Sequence, residues 1–191
     1  MSRKAVTIYC ASSPDAPARF LEAARELGRL CAEAGLATVT GAGRTGLMGA
    51  VVDGTLSVSG GEAVGVIPQF MVDRGWQNPR MTRCHVTDSM HSRKEMLMAL
   101  GCGAIALPGG SGTLDVLLDL LTHCQLGLYT HPVVILNVDG FYDSLLQQFR
   151  TADSLQMMRH LGLPGQLWQE AKTPAEAVRI ILDSSHADRC L

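Results

Sequence analysis

Lysine is scarce in this 191-residue chain: of its 16 basic residues only Lys4, Lys94 and Lys172 are lysines. A pyridoxal enzyme needs a Schiff-base lysine, and two of the three sit near the termini, which leaves Lys94 alone to serve. Nor is there a basic excess. Eighteen acidic residues set the formal charge at −2, so the field that a sequence-independent grip on nucleic acid requires is missing. The cysteines at 10, 31, 84, 102, 124 and 190 contain no CxxC pair and no histidine at ligand spacing, which speaks against zinc. Scattered single cysteines fit reduced, buried thiols of a cytoplasmic protein. The N-terminal residues hold no apolar core of a signal peptide. The longest apolar run, residues 96–107, carries two glycines and is about half the roughly 20 residues that a bilayer requires. A soluble intracellular protein with no membrane and no nucleic-acid partner is the expectation.

What the chain does have is apolar material. Hydrophobic residues make up 47% and charged residues 18%, enough for a sizeable core and too apolar for disorder. Twenty glycines and eight prolines show no period and punctuate the chain instead. Residues 5–10 form a β-branched apolar run ended by Ser12-Ser13-Pro14, a buried strand entering a polar turn. Residues 16–34 repeat apolar positions at helical spacing, and Gly35 closes that helix. Further strands are expected at 36–40, 63–67, 83–87, 104–107 and 132–138. Helices are expected at 47–57, 89–100, 114–126, 142–152 and 174–184, with Asp88 or Ser89 capping the second of them. Residues 69–82, with Trp76, Pro79 and nearby arginines, read as a surface loop or flap. Strand and helix alternate, and the strands are continuously apolar. That pattern specifies an α/β fold: one doubly wound, Rossmann-like domain over residues 1–191, with a mainly parallel sheet flanked by helices. The last few residues are expected to be a flexible tail.

In such sheets ligands gather beyond the carboxyl ends of the strands. Two glycine-rich turns occupy strand-to-helix junctions, residues 41–46 and 109–112. Each lets backbone N–H groups approach a phosphate at a helix N-terminus. Neither is a P-loop, because no Gly-Lys-Ser/Thr follows. Gly41-x-Gly43-x-x-Gly46 matches a bare dinucleotide pattern, but the acidic residue expected about twenty positions on would be Glu62, which precedes its strand instead of ending it. Arg93 and Lys94 open a helix against its macrodipole, and placement against a local rule points to an anion nearby. Asp115 and Asp119 share one face of the helix behind the second turn.

Together these segments resemble the LOG (LONELY GUY) family of cytokinin-activating phosphoribohydrolases, long mislabelled as lysine decarboxylases. The resemblance rests on Met90-His91-Ser92-Arg93-Lys94 and Pro108-Gly109-Gly110-Ser111-Gly112-Thr113. Supporting similarity runs through Cys10-Ala11-Ser12-Ser13, Gly46-Leu47-Met48-Gly49, Gly65-Val66-Ile67-Pro68, Gln125-Leu126-Gly127 and residues 136–140. It implies a homodimer that splits the N-glycosidic bond of a purine nucleoside 5′-monophosphate, such as AMP or a cytokinin nucleotide. Free base and ribose 5-phosphate are released with no metal and no organic cofactor. The implied phosphate-binding residues are Gly109, Gly110, Gly112 and Thr113, helped by Gly43 and Ser13. Met90, Lys94 and Ser111 complete the substrate contacts, and Arg93 is the catalytic or substrate-orienting cation.

One residue departs from the pattern. The second motif ends in glutamate in the family, and here position 116 is valine. A carboxylate there would stabilise an oxocarbenium-like sugar and help a water attack. Asp115, about 100° around the helix, is the candidate substitute, with Asp119, almost one turn further along, as the alternative. Two functions follow: a phosphoribohydrolase weakened by the loss, or a non-hydrolysing carrier of a nucleotide or of the molybdenum cofactor, which some relatives resembling this family carry.

Overall fold

In the computed structural model, residues 4–158 and 167–187 are described, and the expected C-terminal tail lies outside them. Seven strands form one sheet: β1 Ala5–Tyr9, β2 Ala37–Thr40, β3 Ala63–Pro68, β4 Arg83–Thr87, β5 Ala104–Ala106, β6 Val133–Leu136 and β7 Gln169–Ala171. Their order is β4-β3-β2-β1-β5-β6-β7, and every pairing is parallel. Helices α1 Ala18–Glu33, α2 Gly46–Leu56, α3 Gln69–Asp73, α4 Met90–Leu100, α5 Ser111–Gln125, α6 Asp143–Ser154 and α7 Pro174–Ala187 make the connections.

The inner strands β1, β2, β3, β5 and β6 are mostly apolar because they bury both faces, whereas the edge strands β4 and β7 are partly exposed. In β1, Val6 and Ile8 enter a core with Leu27 and Cys31 of α1, Val51 of α2 and Ile181 of α7. Tyr9, its neighbour in sequence, points to the other face, where Leu97 of α4, Leu117 and Leu120 of α5 and Leu146 of α6 pack. The pleat thus sorts one apolar run into two cores. Helix α1 meets α2 at bare backbone: a Cβ on Gly54 would stand 1.9 Å from the Arg25 carbonyl oxygen, and one on Gly28 would stand 2.2 Å from that of Val51.

Two elements lie beyond the sequence expectation. Strand β7 is a short, mostly exposed edge of Gln169-Glu170-Ala171, so it carries no apolar run to announce it. Helix α3 replaces the first part of the expected flap. The rest of that segment is pinned, with Gly43 bridging Gln77 and the Asn78 N–H donating to the Ala42 oxygen at 2.8 Å.

The order reverses at β1: β2 pairs on one side of it and β5 on the other. Loops leaving these strands in opposite directions open a crevice at their carboxyl ends. The turns at 41–46 and 108–112 both start there.

Candidate active site

A cavity of about 680 Å³ occupies this crevice, within the range of small-molecule sites. Its walls come from the ends of β1, β2, β3 and β5 and from the first turns of α2, α4 and α5. Tyr142, outside it, props one wall: its hydroxyl donates to the Leu107 oxygen at 2.7 Å, just before the second glycine turn. Asn137 seats Tyr142 in turn, accepting its N–H at 2.7 Å.

Helix α5 presents its N-terminus to the cavity. Gly110 is the N-cap, and its carbonyl accepts the N–H groups of Thr113 and Leu114, each at 3.0 Å. The amides of a first turn have no carbonyl one turn earlier to pair with, and the helix dipole adds partial positive charge. Gly110, Ser111, Gly112 and Thr113 all line the cavity. Cβ atoms added at Gly110 or Gly112 meet only open space, so side chains there would fill the volume that a ligand needs. Gly109 lies behind them, where its missing Cβ admits the Thr113 side chain.

Arg93 faces this turn from the other side of β1. Ser89 caps α4 in a reciprocal box with Ser92, accepting the Ser92 N–H at 3.1 Å. That start directs Arg93 inward, where it is only 8% exposed. Its Nε–H donates to the Val66 oxygen and an Nη2–H to the Gly41 oxygen, both at 3.1 Å. Nη1 has the Met90 sulfur at 3.7 Å. Burial lowers the pKa of the guanidinium, yet arginine stays charged at neutral pH. Gly41 permits the contact, since a Cβ there would stand 2.1 Å from Arg93 Nη2. The next residue, Ala42, has φ 59, a left-handed conformation that non-glycine residues hold only when their surroundings enforce it. Here those surroundings are Asn78 and the Thr40 hydroxyl, which accepts the Ala42 N–H at 3.2 Å.

Of the residues expected to act, Ser13, Gly43 and Met90 also line the cavity, together with Val116. Lys94 and Asp115 do not. Lys94 Nζ sits 3.0 Å from Asp119 and 3.3 Å from Asp115. The hydrogen bond to Asp119 is the main reason that its pKa is raised. Asp115 is turned toward this lysine because it lies about 100° around α5 from Val116, so its placement does not make it the substitute carboxylate. Among the described residues, no Asp, Glu, His or Lys lines the cavity. Burial pushes the Cys10 thiol in its wall far above the usual range, leaving it protonated and inert.

Sequence reasoning missed Tyr142, Met48 and Thr45. Met48 and Thr45 line the cavity, and the Thr45 hydroxyl donates to the Ser12 oxygen at 2.7 Å, fastening the β1 and β2 loops together. The Gly46-Leu47-Met48-Gly49 stretch was the available signal. Within the expected flap, Met71 and Trp76 reach the cavity, while Arg74 stacks between Phe70 and Trp76, and Arg80 pairs with Asp53.

Residues 48–181 match a family model described as possible lysine decarboxylase. Relatives include a probable cytokinin riboside 5′-monophosphate phosphoribohydrolase of rice, LOGL5, 41% identical over 74% of this chain and 57% of that protein. The rice protein LOG is 39% identical over 74% of this chain and 58% of its own length. The cytokinin riboside 5′-monophosphate phosphoribohydrolase of Rhodococcoides fascians is 38% identical over 78% and 75%. The matched stretch thus spans less than two thirds of the rice proteins. In fold, the chain resembles the molybdenum cofactor carrier protein of Chlamydomonas reinhardtii, with TM-score 0.74 at 20% identity over 97% of this chain and 99% of that one. The molybdenum cofactor binding protein of Rippkaea orientalis gives TM-score 0.71 at 21% identity over 96% and 98%. With glycine turns, a buried arginine and relatives in agreement, the chain belongs to the LOG family, whose model keeps the older lysine decarboxylase description.

Proposed function

We propose that this protein cleaves the N-glycosidic bond of purine or cytokinin nucleoside 5′-monophosphates, releasing base and ribose 5-phosphate. The observation that carries the reading is the meeting, in one cavity, of the α5 amide turn and the buried Arg93. The turn holds the 5′-phosphate through N–H groups and the helix dipole. Met71 and Trp76 offer a thioether and an aromatic face to the base. Arg93 orients the sugar. Bond cleavage passes through an oxocarbenium-like state, and with Val116 in the wall no carboxylate stabilises it or activates water. Loss of such a charge lowers the rate by on the order of 10² to 10³, so turnover in water is slow. The same reading includes a homodimer and a cytoplasmic location, which sedimentation and cell fractionation check.

Incubation with AMP and with isopentenyladenosine monophosphate, followed by separation of free base, tests the activity. Absence of base above the blank at high enzyme concentration rejects it. Val116 favours a second reading, a carrier that binds its nucleotide or molybdenum cofactor without cleaving it. Recovery of a tightly bound, unaltered ligand supports that reading, and rapid turnover rejects it.

A further inference from the structure

We propose that inorganic phosphate is the efficient acceptor of the ribosyl group, which makes this protein a nucleotide phosphorylase yielding ribose 1,5-bisphosphate. The inference rests on the cleavage reading above and changes its nucleophile.

Besides the exposed Arg44, the cavity lining offers two separate positive sites and, among the described residues, no acidic side chain. The first is the α5 amide turn, which follows β5. The second is Arg93, anchored on the Gly41 and Val66 oxygens at the ends of β2 and β3. Strand β1 lies between them, so the β2 and β5 ends are two strand spacings, roughly 10 Å, apart. That span suits a ribose with anionic groups at C1 and C5. Arg93 is 8% exposed, and its neighbours are two neutral carbonyls and a thioether. A buried cation is unfavourable until an anion joins it. A 5′-phosphate occupying the α5 turn leaves Arg93 without one.

Water needs a base to attack the sugar, and among the described residues no side chain lining the cavity serves as one. Phosphate needs none. It arrives as an anion, so it stabilises the positive sugar and supplies the nucleophilic oxygen together. In the family pattern a glutamate at position 116 would repel it, whereas valine admits it. The step balances: a phosphate oxygen forms the bond to C1′, the C1′–N bond breaks with its electron pair leaving on the purine, and the proton of hydrogenphosphate passes to the purine nitrogen.

The test compares base release from AMP by the intact protein in phosphate-free buffer and with added inorganic phosphate, with products read by phosphorus NMR. Phosphate is expected to raise the rate by on the order of tenfold or more, with ribose 1,5-bisphosphate as the product. Arg93→Gln is expected to abolish the stimulation. Because that change opens a gap in a buried site, Val116→Glu serves as the second variant, expected to release base in water and to lose its dependence on phosphate. Equal rates with and without phosphate, with ribose 5-phosphate as sole product, overturn the inference and leave the hydrolase reading standing. No base under either condition overturns both.

Discussion

Arg93 carries a full charge while 8% exposed, and its position depends on a residue 52 places earlier. Gly41 has no Cβ, so its carbonyl and the guanidinium approach closely. Gly41→Ala is expected to push the guanidinium out of place and lower base release by on the order of 10², with folding retained. Steady-state kinetics beside a thermal melt checks this, and unchanged kinetics would mean that Arg93 takes no part. The departure at Val116 was readable from the motif. That Asp115 turns to Lys94 instead of lining the cavity was not readable, because this pairing joins residues 21 apart through the packing of two helices.

Between elements, α1 and α2 meet at bare backbone. Gly54→Ala would press a methyl group against the Arg25 carbonyl, and overpacking of this kind typically costs about 1–3 kcal/mol. A urea titration should show the unfolding free energy falling by that amount, while an unchanged value would mean that the helices separate freely. Helices α4 and α5 are tied by Lys94 between Asp115 and Asp119. Lys94→Ala is expected to cost at most about 1 kcal/mol of stability, as partly exposed pairs do. It should raise KM more than it lowers kcat, because the tie positions Arg93 against the α5 turn. Lys94→Arg should restore part of the affinity. Most strands and helices were legible from their apolar period. Strand β7 was not, since an exposed edge of Gln169 and Glu170 is held by pairing with β6 rather than by burial.

For the whole molecule, the two cores set the response to pH. Burial pushes the Cys31 thiol up to about 12 and the Cys124 thiol up to about 11, against an ordinary value of about 9. Burial raises the Tyr9, Tyr129 and Tyr142 hydroxyls as well. Above pH 9 the unfolded chain releases thiol protons that the folded chain retains, so stability is full below that point and falls as pH rises through 11 to 12. Urea midpoints measured from about pH 8 to about pH 11 should decline steadily, and a flat profile would contradict the burial of these thiols.

Periodicity and punctuation alone determined the α/β class, most elements and the two glycine turns, because these depend on local backbone preference and on which residues avoid water. The 108–113 and 90–94 motifs also named the family before any coordinates. Which residues meet in the cavity was decided by tertiary structure. The reversal of strand order at β1 sets Arg93 opposite the α5 amides and Val116 in the wall. The same packing turns Lys94 and Asp115 toward each other. Such contacts depend on strand order and helix rotation, which follow from how the whole chain fills its two cores.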